Sequence, residues 1–192
     1  MKKKVAVAMS GGVDSSLTAA LLIEQGYDVI GVTMTLSDES REAGGSTAVS
    51  DAKKVADALN IPHYVVNYHK KFKDDVIKYF ISEYAKGRTP NPCVRCNNTV
   101  KFGSLLKDCL ELGADCVATG HYARIEQDEK TGRYLLKKGL DVRKDQSYVL
   151  YTLTQDVLKH FILPLGNYSK EKTRELAGKM NLPVANKPES QE

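Results

Sequence analysis

Residues 5–16 read VAVAMSGGVDSS, and that order leaves the chain few ways to fold. The apolar run 5–9 is a strand buried on both faces, the kind a parallel sheet uses. It breaks into Ser10, Gly11 and Gly12, where glycine permits backbone angles and close approaches that a Cβ forbids. Asp14, Ser15 and Ser16 then open a helix with Leu17, Ala20 and Leu21 on its apolar face and Gly26 as its C-cap. Strand, glycine turn and helix N-terminus in succession gather backbone N–H groups into a nest for an anion. Serine hydroxyls add donors, and the Asp14 carboxylate is a candidate ligand for a magnesium ion that neutralises phosphate.

No lysine follows the glycines, so this is not a Walker A loop, and the G-x-G-x-x-G dinucleotide spacing is absent as well. SGGVDSS directly after a strand resembles the PP-loop of the ATP pyrophosphatases, enzymes that cleave ATP between the α and β phosphates. The rest of the chain repeats the strand–helix alternation. Residues 29–34 form a second buried strand, 61–67 a third and 117–120 another. Helices fall between them, one beginning at Ser50 or Asp51 and one from Lys101 to Leu112. Residues 37–46 are polar and glycine-bearing, hence a loop. Phe72, Val76, Tyr79, Phe80 and Tyr84 recur at helical spacing as a core-facing stripe. Residues 124–138 read as a hairpin standing off the sheet. Residues 148–153 read equally as helix or strand, 154–161 and 169–180 as helices, and 182–185 as the start of a last short strand.

This is the pattern of an α/β doubly wound parallel sheet with flanking helices, and the PP-loop resemblance makes it adenine nucleotide alpha hydrolase-like. One catalytic domain over 1–192 is expected, with ligands beyond the carboxyl ends of the strands, where Ser10, Met34 and Gly120 emerge. Apolar and charged fractions of 42% and 27% are ordinary for a globular protein, and no apolar run approaches membrane-spanning length, so a cytoplasmic protein is expected. The excess of 28 basic over 24 acidic residues permits a nucleic-acid partner without demanding one.

A second stretch carries chemistry: GRTPNPCVRCN, residues 87–97. Its prolines stiffen a loop, and a helix starting after Asn97 or Thr99 sets Cys96 near a helix N-terminus beside Arg95. Both surroundings favour a thiolate nucleophile. The C-x-x-C spacing of Cys93 and Cys96 also admits half a zinc site, two ligands of an iron–sulfur cluster, or a redox pair. His121 follows a strand end and a glycine, which suits either a ligand contact or a supporting role behind one. The run Arg143, Lys144, Asp145, Gln146 is either a solvated face or part of a phosphate-backbone patch with Arg88, Arg95, Arg124 and Lys137 or Lys138.

SGGVDSS, GRTPNPCVRCN with VKF, LGAD with VATGHYAR, and GLDVRKDQSYVLYTL together resemble the tRNA-specific 2-thiouridylases, from Lys4 to the end of the chain. The resemblance implies ATP-dependent 2-thiolation of the wobble uridine, with tRNA and a persulfide sulfur-carrier protein as partners. It implies that Ala8, Met9, Ser10, Gly11, Gly12, Val13, Asp14 and Ser15 grip the nucleotide's phosphates, and that Met34 and Gly120 line the nucleotide site. Cys96 is the implied catalytic cysteine, while Asn91, Pro92 and Cys93 are the positions that meet the target base. His121, Lys144, Asp145 and Gln146 are implied tRNA contacts. In that family a second cysteine follows a KPESQE-like stretch and carries the persulfide, and further domains hold the tRNA. This chain has no cysteine after Cys116, so a fragment of a longer enzyme is expected. Other readings are a nucleotide- and tRNA-binding module without thiolation, a variant using an iron–sulfur cluster, and an adenylating enzyme with a substrate other than tRNA.

Overall fold

The computed structural model describes residues 2–36 and 48–188; the expected loop at 37–46 and the tail at 189–192 lie outside the described residues. Strands β1 (Lys4–Ala8), β2 (Asp28–Thr35), β3 (His63–Asn67), β4 (Cys116–Ala118) and β7 (Phe161–Ile162) form one parallel sheet in the order β3-β2-β1-β4-β7. The order reverses direction between β1 and β4, which is where a doubly wound sheet opens its crevice. Strands β5 (Ala123–Gln127) and β6 (Tyr134–Lys138) form the separate antiparallel hairpin that the sequence predicts, with Ile125 opposite Leu136.

Alternation along β1 sends Val5 and Val7 to one face and Ala6 to the other. The first pair packs with Val29, Cys116 and Ala118 against α1 (Val13–Glu24) and α2 (Ala48–Ala58) through Ala19, Leu22, Ala52, Val55 and Ala56. Ala6 joins Ile30, Val32 and Val117 beneath helices α3 (69–85) and α4 (92–111). Both of these helices are continuous but widen into π geometry, over Lys73–Ile77 in α3 and Asn97–Leu105 in α4. Helix α5 (Gln155–Leu158) is a single turn, and α6 (Lys170–Lys179) closes the outer side of α1 with Leu17, Ala20, Leu165, Ala177 and Leu182.

Three expectations need correction. Helix α4 begins at Pro92, not after Asn97, because the Asn91 side chain accepts a hydrogen bond from Val94 N–H at 3.2 Å and Pro92 suits the first helical position. The last strand is Phe161–Ile162, and residues 182–185 form no strand, with 183–186 in turns; a two-residue strand gives no periodic signal. The aromatic stripe of α3 buries only Val76 fully, leaving Phe72 and Phe80 half-buried and Tyr79 and Tyr84 exposed.

Gly166 lets the turn before α6 lie against β5, since a Cβ there would sit 2.0 Å from the Ala123 carbonyl oxygen. Gly166→Ala should cost about 2–3 kcal/mol in urea unfolding. Gly178→Ala, on an open face of α6 with nothing within 4 Å, should gain about 0.5 kcal/mol. Equal effects at the two positions would show that the turn is not held against β5.

Candidate functional site

β1 delivers Ser10 to the switch point, and Gly11 turns the chain with φ +69°. A Cβ on Gly11 would meet the Ala48 carbonyl oxygen at 2.5 Å, so the start of α2 packs directly behind the loop. Lys187 fastens the same place, its ammonium 3.1 Å from Gly11 O and 2.7 Å from Asp51 Oδ2. Inside the loop, Ser15 Oγ accepts from Ser10 N–H at 3.1 Å, and Ser16 Oγ donates to Gly12 O at 2.7 Å. Gly12 caps α1 without a side chain, so the first-turn N–H groups are left for whatever occupies the space in front. Gly120 closes the other wall, since a Cβ there would lie 3.0 Å from Asp14 and from Ser15 N.

That space is a cleft of about 190 Å³ lined by Ser10, Gly12, Asp14, Tyr122, Lys144, Gln146, Lys170 and Arg174, among others. Lys170 Nζ lies 2.7 Å from each Asp14 oxygen, and the Tyr122 hydroxyl donates to Asp14 Oδ1 at 2.9 Å. Gln146 reaches the cleft because its backbone N–H donates to Tyr122 O and its Oε1 accepts from Tyr122 N–H. Asp145 turns away. Burial pushes its carboxyl up, yet bonds from Gly139 N–H and from the Ser147 hydroxyl and N–H outweigh this and hold it below the usual range. The loop residues thus divide: Lys144 and Gln146 face the cleft, and Asp145 holds the turn that carries them. Tyr122, Lys170 and Arg174 are not predicted from the sequence. The one available signal is Lys170 itself, a cation in the first turn of a helix, where the dipole disfavours it.

Met34 is half-buried near the end of β2, opposite Val66 of β3, and Ala8 ends β1. His121 is buried, 9% exposed, with Nδ1 2.6 Å from Thr119 Oγ1 and the Phe102 ring beside it. Burial, with Lys101 adding positive charge, lowers its pKa to about 3. This is the supporting position rather than an open RNA-facing one. Arg88 is ion-paired with Glu83 at 2.8 Å, and Arg124 and Lys137 both pair with Glu126.

Asn91, Pro92 and Cys93 open α4, so Cys93, not Cys96, occupies the helix's first turn and is exposed. Cys96 follows one turn later, 8% exposed, in the core cluster with Val100 and Leu150. Beside this turn lies a second, wider groove of about 450 Å³ lined by Tyr79, Asn91, Arg95, Asn98, Tyr148 and Tyr151, with Val94 and Thr152. The Arg95 guanidinium sits 4.9 Å above the Tyr79 ring. Tyr148 and Tyr151 are 63% and 71% exposed, so the groove offers aromatic faces with amide and guanidinium donors among them.

Among the described residues no three His, Cys, Asp or Glu side chains cluster in a way that holds a metal ion. Cys109 is buried in the same core cluster as Cys96, with burial pushing its thiol up to about 12, and it does not complete a metal-holding group with Cys93 and Cys96. Asp14, the expected magnesium ligand, has both oxygens on an ammonium and does not fit a protein-held magnesium site as built.

The sheet order, with a serine–glycine nest at the switch point, defines an α/β protein of the PP-loop, or HUP, class. The chain belongs to the family described as tRNA methyl transferase HUP domain, whose model matches residues 3–192. It is 58% identical over 200 residues to a tRNA-specific 2-thiouridylase MnmA 1 of Caldanaerobacter subterraneus, covering 100% of this chain and 55% of that protein. It is 54% identical over 198 residues to the tRNA-specific 2-thiouridylase MnmA of Clostridioides difficile, again covering 100% and 55%. The chain therefore spans about half the length of the curated relatives it matches. In fold it is similar to a 4-thiouridine synthetase–RNA complex with bound ATP (TM-score 0.63, 20% identity, 97% of this chain and 43% of that one). It is also similar to a predicted tRNA methyltransferase subunit of Methanocaldococcus jannaschii (TM-score 0.55, 21% identity, 92% and 74%). Among the described residues no helix is long and apolar enough to cross a membrane.

His121 yields a pH prediction. Between 6.5 and about 3 the unfolded chain binds a proton there that the folded chain refuses, so stability falls as pH drops through that window. His121→Gln should make the urea midpoint less sensitive to pH between about 7 and about 5. A native histidine NMR signal titrating near its ordinary value would contradict the buried, neutral ring.

Proposed function

We propose that this chain binds ATP at the Ser10–Ser15 loop and activates the wobble uridine of tRNA for 2-thiolation, with residues 1–192 acting as one catalytic unit. The observation that carries the reading is the cleft itself. A nest of N–H groups meets Lys144, Lys170 and Arg174 around a space of about 190 Å³, at the switch point where such sheets hold ligands. Positive charge on that scale suits phosphates. A methyl donor of the sulfonium type, itself cationic, would be repelled there.

In the first stage the C2 oxygen of the uridine attacks the α-phosphorus of ATP. The bond to the bridging oxygen breaks, pyrophosphate leaves, and the base carries AMP as a leaving group. The nest and the cationic side chains stabilise the charge that gathers on the departing phosphates. A divalent ion entering with ATP would rest on phosphate oxygens and water, as magnesium commonly does. In the second stage the terminal sulfur of a persulfide, delivered by a carrier protein to the family's second cysteine, attacks C2 and AMP departs with the oxygen. The Cys96 thiolate then attacks the inner sulfur. The S–S bond breaks, its electron pair stays on the base's sulfur, and Cys96 ends in a disulfide with that second cysteine.

The tyrosine-lined groove beside Asn91 and Cys93 is where single-stranded anticodon bases would stack, since unstacked bases favour aromatic faces. A second reading, nucleotide and RNA binding without sulfur transfer by this chain, is favoured by one observation: Cys96 is buried.

Pyrophosphate and AMP release from ATP, with and without an unmodified tRNA transcript bearing a wobble uridine, tests the first stage. Release should depend on the tRNA and persist in Cys96→Ser, while sulfur incorporation by the full-length protein should be lost in that variant. Release that ignores tRNA would overturn the RNA part of the reading. Thiolation surviving in Cys96→Ser would remove Cys96 from it.

A further inference from the structure

Lys170 lies far along the chain from the glycine–serine loop, yet it lines the same cleft. It stands at the first position of α6, behind the Ser169 cap that accepts from Lys172 N–H at 3.1 Å. Helix energetics argue against a lysine at that position, because the N-terminal partial charge is positive. Solvation does not explain it either, since its side chain is only 13% exposed. What holds it is Asp14, through two contacts of 2.7 Å. The Tyr122 hydroxyl steadies that carboxylate, lying also 3.1 Å from the buried Thr173 Oγ1. Lys170 and Thr173 are one turn apart in α6, so the helix grips the tyrosine and the carboxylate together.

Charge decides what this arrangement serves. Among the described residues, the cleft lining carries the cations Lys144, Lys170 and Arg174 against one carboxylate, that of Asp14. A site shaped for a metal ion gathers carboxylates, and this one gathers the opposite sign. Asp14 also spends both of its oxygens on the ammonium.

We propose that Lys170 is a phosphate-binding residue of the cleft, contacting the β and γ phosphates of a nucleoside triphosphate or the pyrophosphate it releases, and that Asp14 acts through it as a positioning residue. The inference rests on the nucleotide reading of the cleft and deepens it, giving the Asp14 carboxylate an ammonium to hold in place of a magnesium ion. Lys170 then supplies the cation that a Walker lysine supplies elsewhere, from the far end of the domain.

The test titrates sodium pyrophosphate and ATP into the chain and its variants Lys170→Met, Asp14→Asn, the double variant and Lys172→Met, at several salt concentrations, with urea unfolding alongside. Lys172 pairs with Glu175 on the exposed side of α6 and serves as the control. Lys170→Met should weaken both ligands tenfold or more and flatten the salt dependence of binding. Lys172→Met should stay within twofold. Asp14→Asn should cost less than Lys170→Met, and the double variant should bind no worse than Lys170→Met alone, as expected when one residue acts through the other. The magnesium concentration for half-maximal ATP binding should be the same in Asp14→Asn as in the parent. If Lys170→Met fails to fold, Lys170→Gln keeps a donor to Asp14 and removes the charge. Affinity within twofold of the parent, or lost stability with an unchanged salt slope, reduces Lys170 to a staple between helices and overturns the proposal. So does a tenfold rise in the magnesium requirement confined to Asp14→Asn. Binding of neither ligand by the parent chain would instead overturn the nucleotide reading, with the Lys170 assignment falling as its consequence.

Discussion

The bond between Asp14 and Lys170 joins residues 156 positions apart, and the rest of the site depends on the approach it enforces. Asp14 belongs to the first turn of α1, directly after the strand that starts the sheet. Lys170 opens the last helix. Between them Tyr122 reaches from the end of β4 to touch both sides through Asp14 and Thr173. Lys187 does similar work behind the loop, from Gly11 O to Asp51. The N–H nest is therefore not a local device of residues 10–16. Its shape is set by chain segments that arrive from the other end of the sequence, packed through Gly11 and Gly120, where any Cβ would collide.

Much of this architecture is legible in the sequence because parallel strands and glycine turns are local signals. β1, β2, the α1 cap and the 123–138 hairpin all follow from runs of apolar residues and from turn chemistry. The start of α4 is misread because its prolines suggest a rigid loop. Pro92 instead sits at the first helical position with Asn91 as cap, and neither cue has a periodicity to weigh against it. β7 escapes because two residues carry no pattern. The tyrosines of α3 look like core because spacing gives the face of a helix without saying whether another element covers it. At the site the loop glycines and serines are visible in the sequence. Tyr122, Lys170 and Arg174 are not, since only tertiary packing brings α6 onto α1.

The placement of the two thiols follows from the same local error. A helix beginning at Pro92 sets Cys93 in the exposed first turn and carries Cys96 one turn inward, against Val100 and Leu150. Any partner approaching the C-x-x-C pair from solvent meets Cys93 first. Under the mechanism proposed above, a reaction at Cys96 requires a substrate that displaces the packing over it.

The stretch 144–152 connects the two halves of the site. Lys144 and Gln146 line the cleft at the nest, and Tyr148, Tyr151 and Thr152 line the tyrosine groove, with Asp145 pinned by Gly139 and Ser147. Gln146 is tied to Tyr122, which is tied to Asp14. The two grooves thus share one pinned segment of chain.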